Sequence, residues 1–192
     1  MALLAVPYQP FRGDPRRNTA ILDHLVAHPQ WVTSPVTPEE ARVVAAAYLT
    51  APDHLIWEVW NDGTLVGILL LTNLTQSLDA LFHFVFFDHN LIGKRRFLRR
   101  FLTYCFSDRH FRRLTMHIPE HISTLIHFAR VSLGFRFEGE GRGHKLLESL
   151  KIEHPAVWVA KQGSRREQGH YHDGAWRDVM VLRLLAEEHQ KV

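Results

Sequence analysis

The 192-residue sequence predicts a mixed α/β sheet with helices on both faces. Three observations predict it. Apolar spacing switches along the chain between the helical period of 3.6 and the strand period of 2. Asn61-Asp62-Gly63 is a strong hairpin turn between two strand-like runs. Ala80 to Phe87 is a nearly continuous apolar run, as expected of a central strand buried on both faces.

The elements follow in order. Pro15 to Ala27 carries Ile21, Leu22 and Leu25 at helical spacing. Thr37-Pro38-Glu39-Glu40 starts a second helix, with a Thr N-cap, Pro at N1 and acids in the first turn, and the pattern runs to about Leu49. Leu55 to Trp60 and Thr64 to Leu71 are the strands of the hairpin. After Gly93 the period becomes helical: Phe97, Leu98, Phe101, Leu102 and Cys105 share one stripe, with Arg95, Arg96, Arg99 and Arg100 opposite. Leu114, Met116 and Ile118 alternate as a strand, and Ser123 to Val131 reads as a helix with Leu125, Ile126 and Phe128 inward, ended by Gly134. Phe135 to Lys145 and Trp176 to Leu185 are expected as the last two strands, with Asp173-Gly174 turning into the second. Residues 146–171 then form an insertion between them, and the whole of 1–192 is expected as a single domain.

Composition removes several classes. A 46% hydrophobic and 22% charged chain is not a disordered one. One cysteine, Cys105, excludes a disulfide framework or a Cys-rich zinc module. The apolar stretches fall short of the roughly 20 residues that cross a bilayer, and the first residues lack the basic and long apolar regions of a signal peptide. A cytoplasmic protein without membrane attachment is expected. The net charge of +3 and pI near 9.2 are concentrated locally: Lys94, Arg95, Arg96, Arg99, Arg100, Arg109, Arg112 and Arg113 are opposed only by Asp108. That cluster points to an anionic partner.

Val85-Phe-Phe-Asp-His-Asn90-Leu-Ile-Gly93-Lys-Arg95 resembles the strand and pyrophosphate loop of the GNAT superfamily of acyl-CoA-dependent N-acyltransferases, whose loop reads Gln/Arg-x-x-Gly-x-Gly/Ala before a helix. Ala129-Arg-Val-Ser-Leu-Gly134-Phe-Arg-Phe-Glu138-Gly139 is similar to the family's second signature. Asp173-Gly174-Ala-Trp176-Arg-Asp178 looks like the closing hairpin of the subgroup that includes ribosomal-protein N-terminal acetyltransferases. The resemblance implies a mostly antiparallel twisted sheet, a splayed central strand pair, and transfer of acetyl from acetyl-CoA to a primary amine. The chain departs from the pattern at Asn90, where Gln or Arg is usual, and at Arg95, where Gly or Ala is usual. Its helix before Gly134 is one residue longer, and Arg130 is the nearest match to the tyrosine that protonates the leaving thiolate in many members.

The loop chemistry also follows from the residues. A helix start offers unpaired N–H groups and a positive dipole end, so Asn90, Leu91, Ile92, Gly93, Lys94, Arg95 and Arg96 are the candidate diphosphate cradle. The amides of Val85 and Phe86 are the candidates for the acyl carbonyl and its oxyanion. The acceptor amine is the nucleophile, so the enzyme needs only a base; His83 has the right address and His117 is the runner-up. No metal site is expected: His170-Tyr-His172-Asp173 sits beside a turn, and Cys105 lies on an apolar stripe. A second reading is a GNAT-fold structural or interaction protein without catalysis, for example in a phage particle. A third is a basic nucleic-acid- or ribosome-associated module, marked by salt-dependent binding. Residues 146–171, with Trp158 beside Lys161, Arg165 and Arg166, are expected to contact a second copy or another protein.

Overall fold

The computed structural model describes residues 3–8, 15–27, 37–75, 79–88, 90–137, 165–172 and 175–189. The fold is mixed α/β, and the chain divides into two compact units, Met1–Phe111 and Arg112–Val192.

The first unit begins with a short strand, β1 (Leu3–Pro7), followed by α1 (Pro15–Ala27) and α2 (Pro38–Thr50). Strands β2 (Leu55–Asn61), β3 (Thr64–Thr75) and β4 (Asp79–Phe86) come next, and α3 (Lys94–Ser107) closes the unit. The strands lie in sequence order, β1-β2-β3-β4, each antiparallel to its neighbour. The β2–β3 turn has Asp62 at φ 48° and Gly63 at φ 83°, the left-handed pair that a tight hairpin demands. β3 outruns the sequence expectation by four residues, ending at Thr75 rather than Leu71, with Asn73 at φ 51° and a register shift between Thr72 and Thr75.

Alternation along these strands divides the apolar residues between two faces. Ile56, Ile68, Leu70 and Val85 point to one side and pack with Ile21 and Leu25 of α1 and Ala45 and Leu49 of α2. Trp57 and Phe82 point to the other side, where both rings meet Phe101 of α3, at centroid distances of 5.0 and 5.8 Å. Helices therefore cover both faces of this sheet. The α3 stripe of Leu98, Phe101, Leu102 and Cys105 is wholly buried, and truncating Leu98 to Ala would cost about 2–5 kcal/mol.

One charged group is buried between the sheet and α1. Glu58 is 1% exposed; its Oε2 accepts from Trp60 Nε1 at 2.9 Å, and its Oε1 lies 2.9 Å from Arg17 Nε as a close ion pair not aligned as a hydrogen bond. Burial, and next the Glu58 carboxylate, push the Tyr8 hydroxyl above its ordinary pKa, with Arg17 acting against both; Tyr8 Oη donates to Asn18 Oδ1 at 3.2 Å.

The second unit comprises β5 (Arg113–Pro119), α4 (Ser123–His127) running into a π-helical segment (Phe128–Ser132), β6 (Arg136–Phe137), β7 (Arg165–His172), β8 (Ala175–Leu185) and α5 (Ala186–His189). β8 is its centre: β5 pairs along Val179–Leu185, while β7 and β6 pair antiparallel with β8 at Ala175–Met180 and Leu182–Arg183. Register sets Arg136 opposite Arg183, a like-charge pair that Glu188 neutralises. Its Oε2 accepts from Arg183 Nη1 at 2.6 Å and from the Leu185 amide at 3.2 Å, and its Oε1 is 3.6 Å from Arg136 Nη1.

Two expectations about this half change. Residues 165–171, assigned to the insertion, belong to the strand β7, which forms a hairpin with β8. Of the strand expected over 135–145, Arg136–Phe137 is β6, and 138–145 lie outside the described residues, as do 146–164 with Trp158.

Candidate active site

The structure follows β4 with a turn and then α3, the order the sequence implied. The turn is self-bonded at its start. Asn90 N–H donates to Asp88 Oδ1 at 2.8 Å and Leu91 N–H to the Asp88 carbonyl at 3.4 Å. Two of the nominated amides are thus already engaged within the loop. Leu91 is buried, whereas Ile92 is 84% exposed and Gly93 stands at φ 85°. A β-carbon at Gly93 would meet nothing within 4 Å, so backbone conformation, not crowding by the protein, calls for glycine here.

Gly93 is the N-cap of α3, and its carbonyl receives the first helical bond, from Phe97 N–H at 3.0 Å. It brings no side-chain cap, and the first turn holds no acid. The opening N–H groups of a helix have no intrahelical acceptor, so the amides through Arg96 point out of the helix end with Lys94, Arg95 and Arg96 around them. Cations there work against the helix dipole, and Arg95/Arg99 and Arg96/Arg100 add like-charge pairs at i,i+4. An anion at the helix end relieves both effects.

Val85 and Phe86 face different ways. The Val85 carbonyl is so close to Gly67 of β3 that a β-carbon on Gly67 would lie 2.4 Å from it. A trans peptide sends its C=O and the following N–H in opposite directions, so the Phe86 N–H is turned away from β3. Phe87 N–H donates to Val66 of β3 at 2.9 Å, and alternation turns the Val85 amide toward β3 as well. Phe86 is therefore the amide that points away from β3. Gly67, unremarked in the sequence reading, is required by this close approach; a glycine inside an apolar strand was the available signal.

His83 lies on β4 opposite Leu70, half-buried, with Nε2 3.2 Å from the hydroxyl of buried Thr72 on β3. Thr72 was not singled out from the sequence, and nothing in a lone threonine of an apolar strand would mark it. The runner-up, His117, is half-buried on β5 opposite Val181, in the second unit. Cys105 is fully buried, and burial pushes its thiol up to about 12 against a small opposing pull from Arg109, so it supplies no thiolate. Among the described residues no three His, Cys, Asp or Glu side chains converge as a metal site, and no helix is long and apolar enough to cross a membrane.

The helix before Gly134, expected to be one residue longer than the family pattern, changes its winding toward its end. Phe128–Ser132 winds as a π-helical turn, the usual way a helix absorbs an inserted residue. Gly134 at φ 86° then ends it, with Phe135 N–H donating to the Ala129 carbonyl at 3.0 Å. Arg130 extends over the ring of Phe137, 4.3 Å from its centroid.

No protein-family model matches the sequence, and no curated protein matches it. Solved structures do match the fold. The spermidine N-acetyltransferase of Vibrio cholerae in complex with CoA and spermine aligns at TM-score 0.65 and 15% identity over 98% of both chains. A chimera of that enzyme and hSSAT aligns at TM-score 0.65 and 16% identity over 99% of both. The same enzyme with manganese ions aligns at TM-score 0.61 and 14% identity, over 98% of this chain and 95% of the other. These neighbours are GNAT-fold proteins, and likeness across nearly the full length at this identity shows that the chain carries that fold.

Proposed function

We propose that this protein is an N-acetyltransferase that moves the acetyl group of acetyl-CoA to a primary amine. The observation that carries the reading is the start of α3: an uncapped, acid-free helix end with three consecutive cations, entered through a glycine with open space around it. The diphosphate of CoA fits the chemistry of that end, with Ile92 to Arg96 supplying amides and charge. In the reaction a neutral amine attacks the thioester carbonyl, the C–N bond forms, the C–S bond breaks, and CoA leaves as a thiolate that takes up a proton. Phe86 N–H, turned away from β3, stabilises the developing oxyanion, and His83, oriented by Thr72, removes the ammonium proton directly or through water.

The acceptor we infer carries one amine rather than several. The neighbours are named for spermidine and spermine, which are polycations. On α1 and α2 of this chain Asp23 pairs with Arg42 and Glu40 closes the cap of α2, so Glu39 is the one acid there without a partner among the described residues. An acceptor such as a protein N-terminus suits this balance, and it also agrees with the resemblance of 173–178 to the ribosomal-protein subgroup. The test is calorimetric titration with acetyl-CoA, followed by turnover with a free-N-terminus peptide and with spermidine. Micromolar acetyl-CoA binding and preference for the peptide support the proposal. Absence of binding at millimolar acetyl-CoA removes the enzyme reading and leaves a structural GNAT-fold protein.

A further inference from the structure

The far end of α3 carries a second candidate site, separated from Gly93 by the 14-residue helix, a length of about 20 Å. A cleft of about 390 Å³ opens there between Leu55 of β2, Leu74 at the end of β3, and the chain that follows α3. Its apolar lining is Leu55, Leu74 and Phe111; its charged lining is Asp108 and Arg109.

The backbone fixes this arrangement. Asp108 and Arg109 N–H both donate to the Tyr104 carbonyl, at 2.9 and 3.2 Å, and Phe111 N–H donates to the Cys105 carbonyl at 3.1 Å. The chain turns away from the helix at His110, which holds the left-handed conformation at φ 60°. The turn buries Phe111, 3% exposed, and leaves Asp108 and Arg109 exposed side by side. Among the described residues neither side chain has an ion-pair or hydrogen-bond partner. Adjacent opposite charges would ordinarily be satisfied by neighbours of the opposite sign; here they border an apolar floor instead.

The complement of such a cleft carries both charges at one end and an apolar body at the other. We propose that it binds a free α-amino acid with an apolar side chain: carboxylate on the planar guanidinium of Arg109, ammonium on Asp108, side chain against Leu55, Leu74 and Phe111. The negative end of the α3 dipole adds to the attraction for the ammonium. This site does not depend on the acetyl-transfer reading.

The experiment titrates the full chain with L-leucine, L-leucinamide and 4-methylpentanoate by calorimetry, in the wild type and in the exposed-residue variants Asp108→Asn and Arg109→Gln. Circular dichroism confirms that the variants are folded. Leucine is expected to bind saturably, and loss of either charge, on ligand or protein, to weaken binding by at least about tenfold. The losses pair: leucinamide binds wild type and Arg109→Gln alike, and 4-methylpentanoate binds wild type and Asp108→Asn alike. Saturating acetyl-CoA leaves leucine affinity unchanged. Lack of saturation by leucine, isoleucine and phenylalanine up to about 10 mM overturns the site. Equal binding of 4-methylpentanoate and leucine, or competition by acetyl-CoA, overturns it equally.

Discussion

Helices α2 and α3 have nearly equal lengths, 13 and 14 residues, and begin in opposite ways. α2 has Thr37 as N-cap, whose hydroxyl accepts from Glu40 N–H at 3.2 Å while Glu40 Oε2 accepts from Thr37 N–H at 2.9 Å, with Pro38 and Glu39 completing the first turn. A capping box, a proline in the first turn and two first-turn acids are all present. α3 has none of them, and carries cations where acids would help. Its stability comes from the buried stripe instead, since Leu98, Leu102 and Cys105 are completely enclosed. The contrast teaches that one sheet can anchor two helices whose starts are built differently. α2 is closed at its start, and α3 is left uncapped, as the proposed diphosphate contact requires.

That comparison can be broken at several points. The largest effect is expected from Gly93→Asp set beside Gly93→Asn. Both side chains tolerate the left-handed backbone and have equal bulk, so the charge is the difference. Acetyl-CoA affinity, read by calorimetry, should fall by about 100-fold or more for Asp relative to Asn. Equal affinities would remove the phosphate assignment from the α3 start.

His83→Ala comes next, with kcat lowered by about 100-fold and acetyl-CoA affinity preserved, because the residue lies on the α1/α2 side of the sheet and not at the helix end. Full turnover would return the proton-transfer role to His117 or water. Arg96→Glu makes the third position of α3 resemble Glu40 of α2. Thermal stability should rise by about 0.3–1 kcal/mol while acetyl-CoA affinity falls about tenfold. Opposite movement of the two readouts is the signature; parallel movement would mean the cations serve the fold. The smallest effect belongs to Thr37→Ala, which should cost about 1 kcal/mol in denaturant unfolding with acetyl-CoA affinity unchanged.

Much of the first unit was legible because its signals are local. Thr37-Pro-Glu-Glu, Asn61-Asp-Gly and the change of period at Gly93 each act within a few residues, and each element stands where those signals place it. The helix ending at Gly134 was legible too, and the structure winds its last part, Phe128–Ser132, as a π-helical turn. β7 was not, because Arg165-Arg-Glu-Gln-Gly-His-Tyr-His172 has no apolar alternation and becomes a strand only through its partner β8. β1 is a five-residue edge strand ending in Pro7, too short to announce itself. At the candidate site the loop and His83 could be read from order along the chain. The Thr72 contact, the engaged amides of Asn90 and Leu91, and the opposed directions of Val85 and Phe86 depend on register between strands or on turn geometry, which composition does not encode.

The single thiol also makes the first unit a natural timer of its own opening. Cys105 is 0% exposed, and its proton is held until a pH of about 12, so a thiol reagent reaches it only when α3 leaves the sheet. With no second cysteine in the chain, the labelling rate of the unmodified protein equals the open fraction of Met1–Phe111 multiplied by the rate for a free thiol. A ligand that docks on α3 will slow that clock as its occupancy rises.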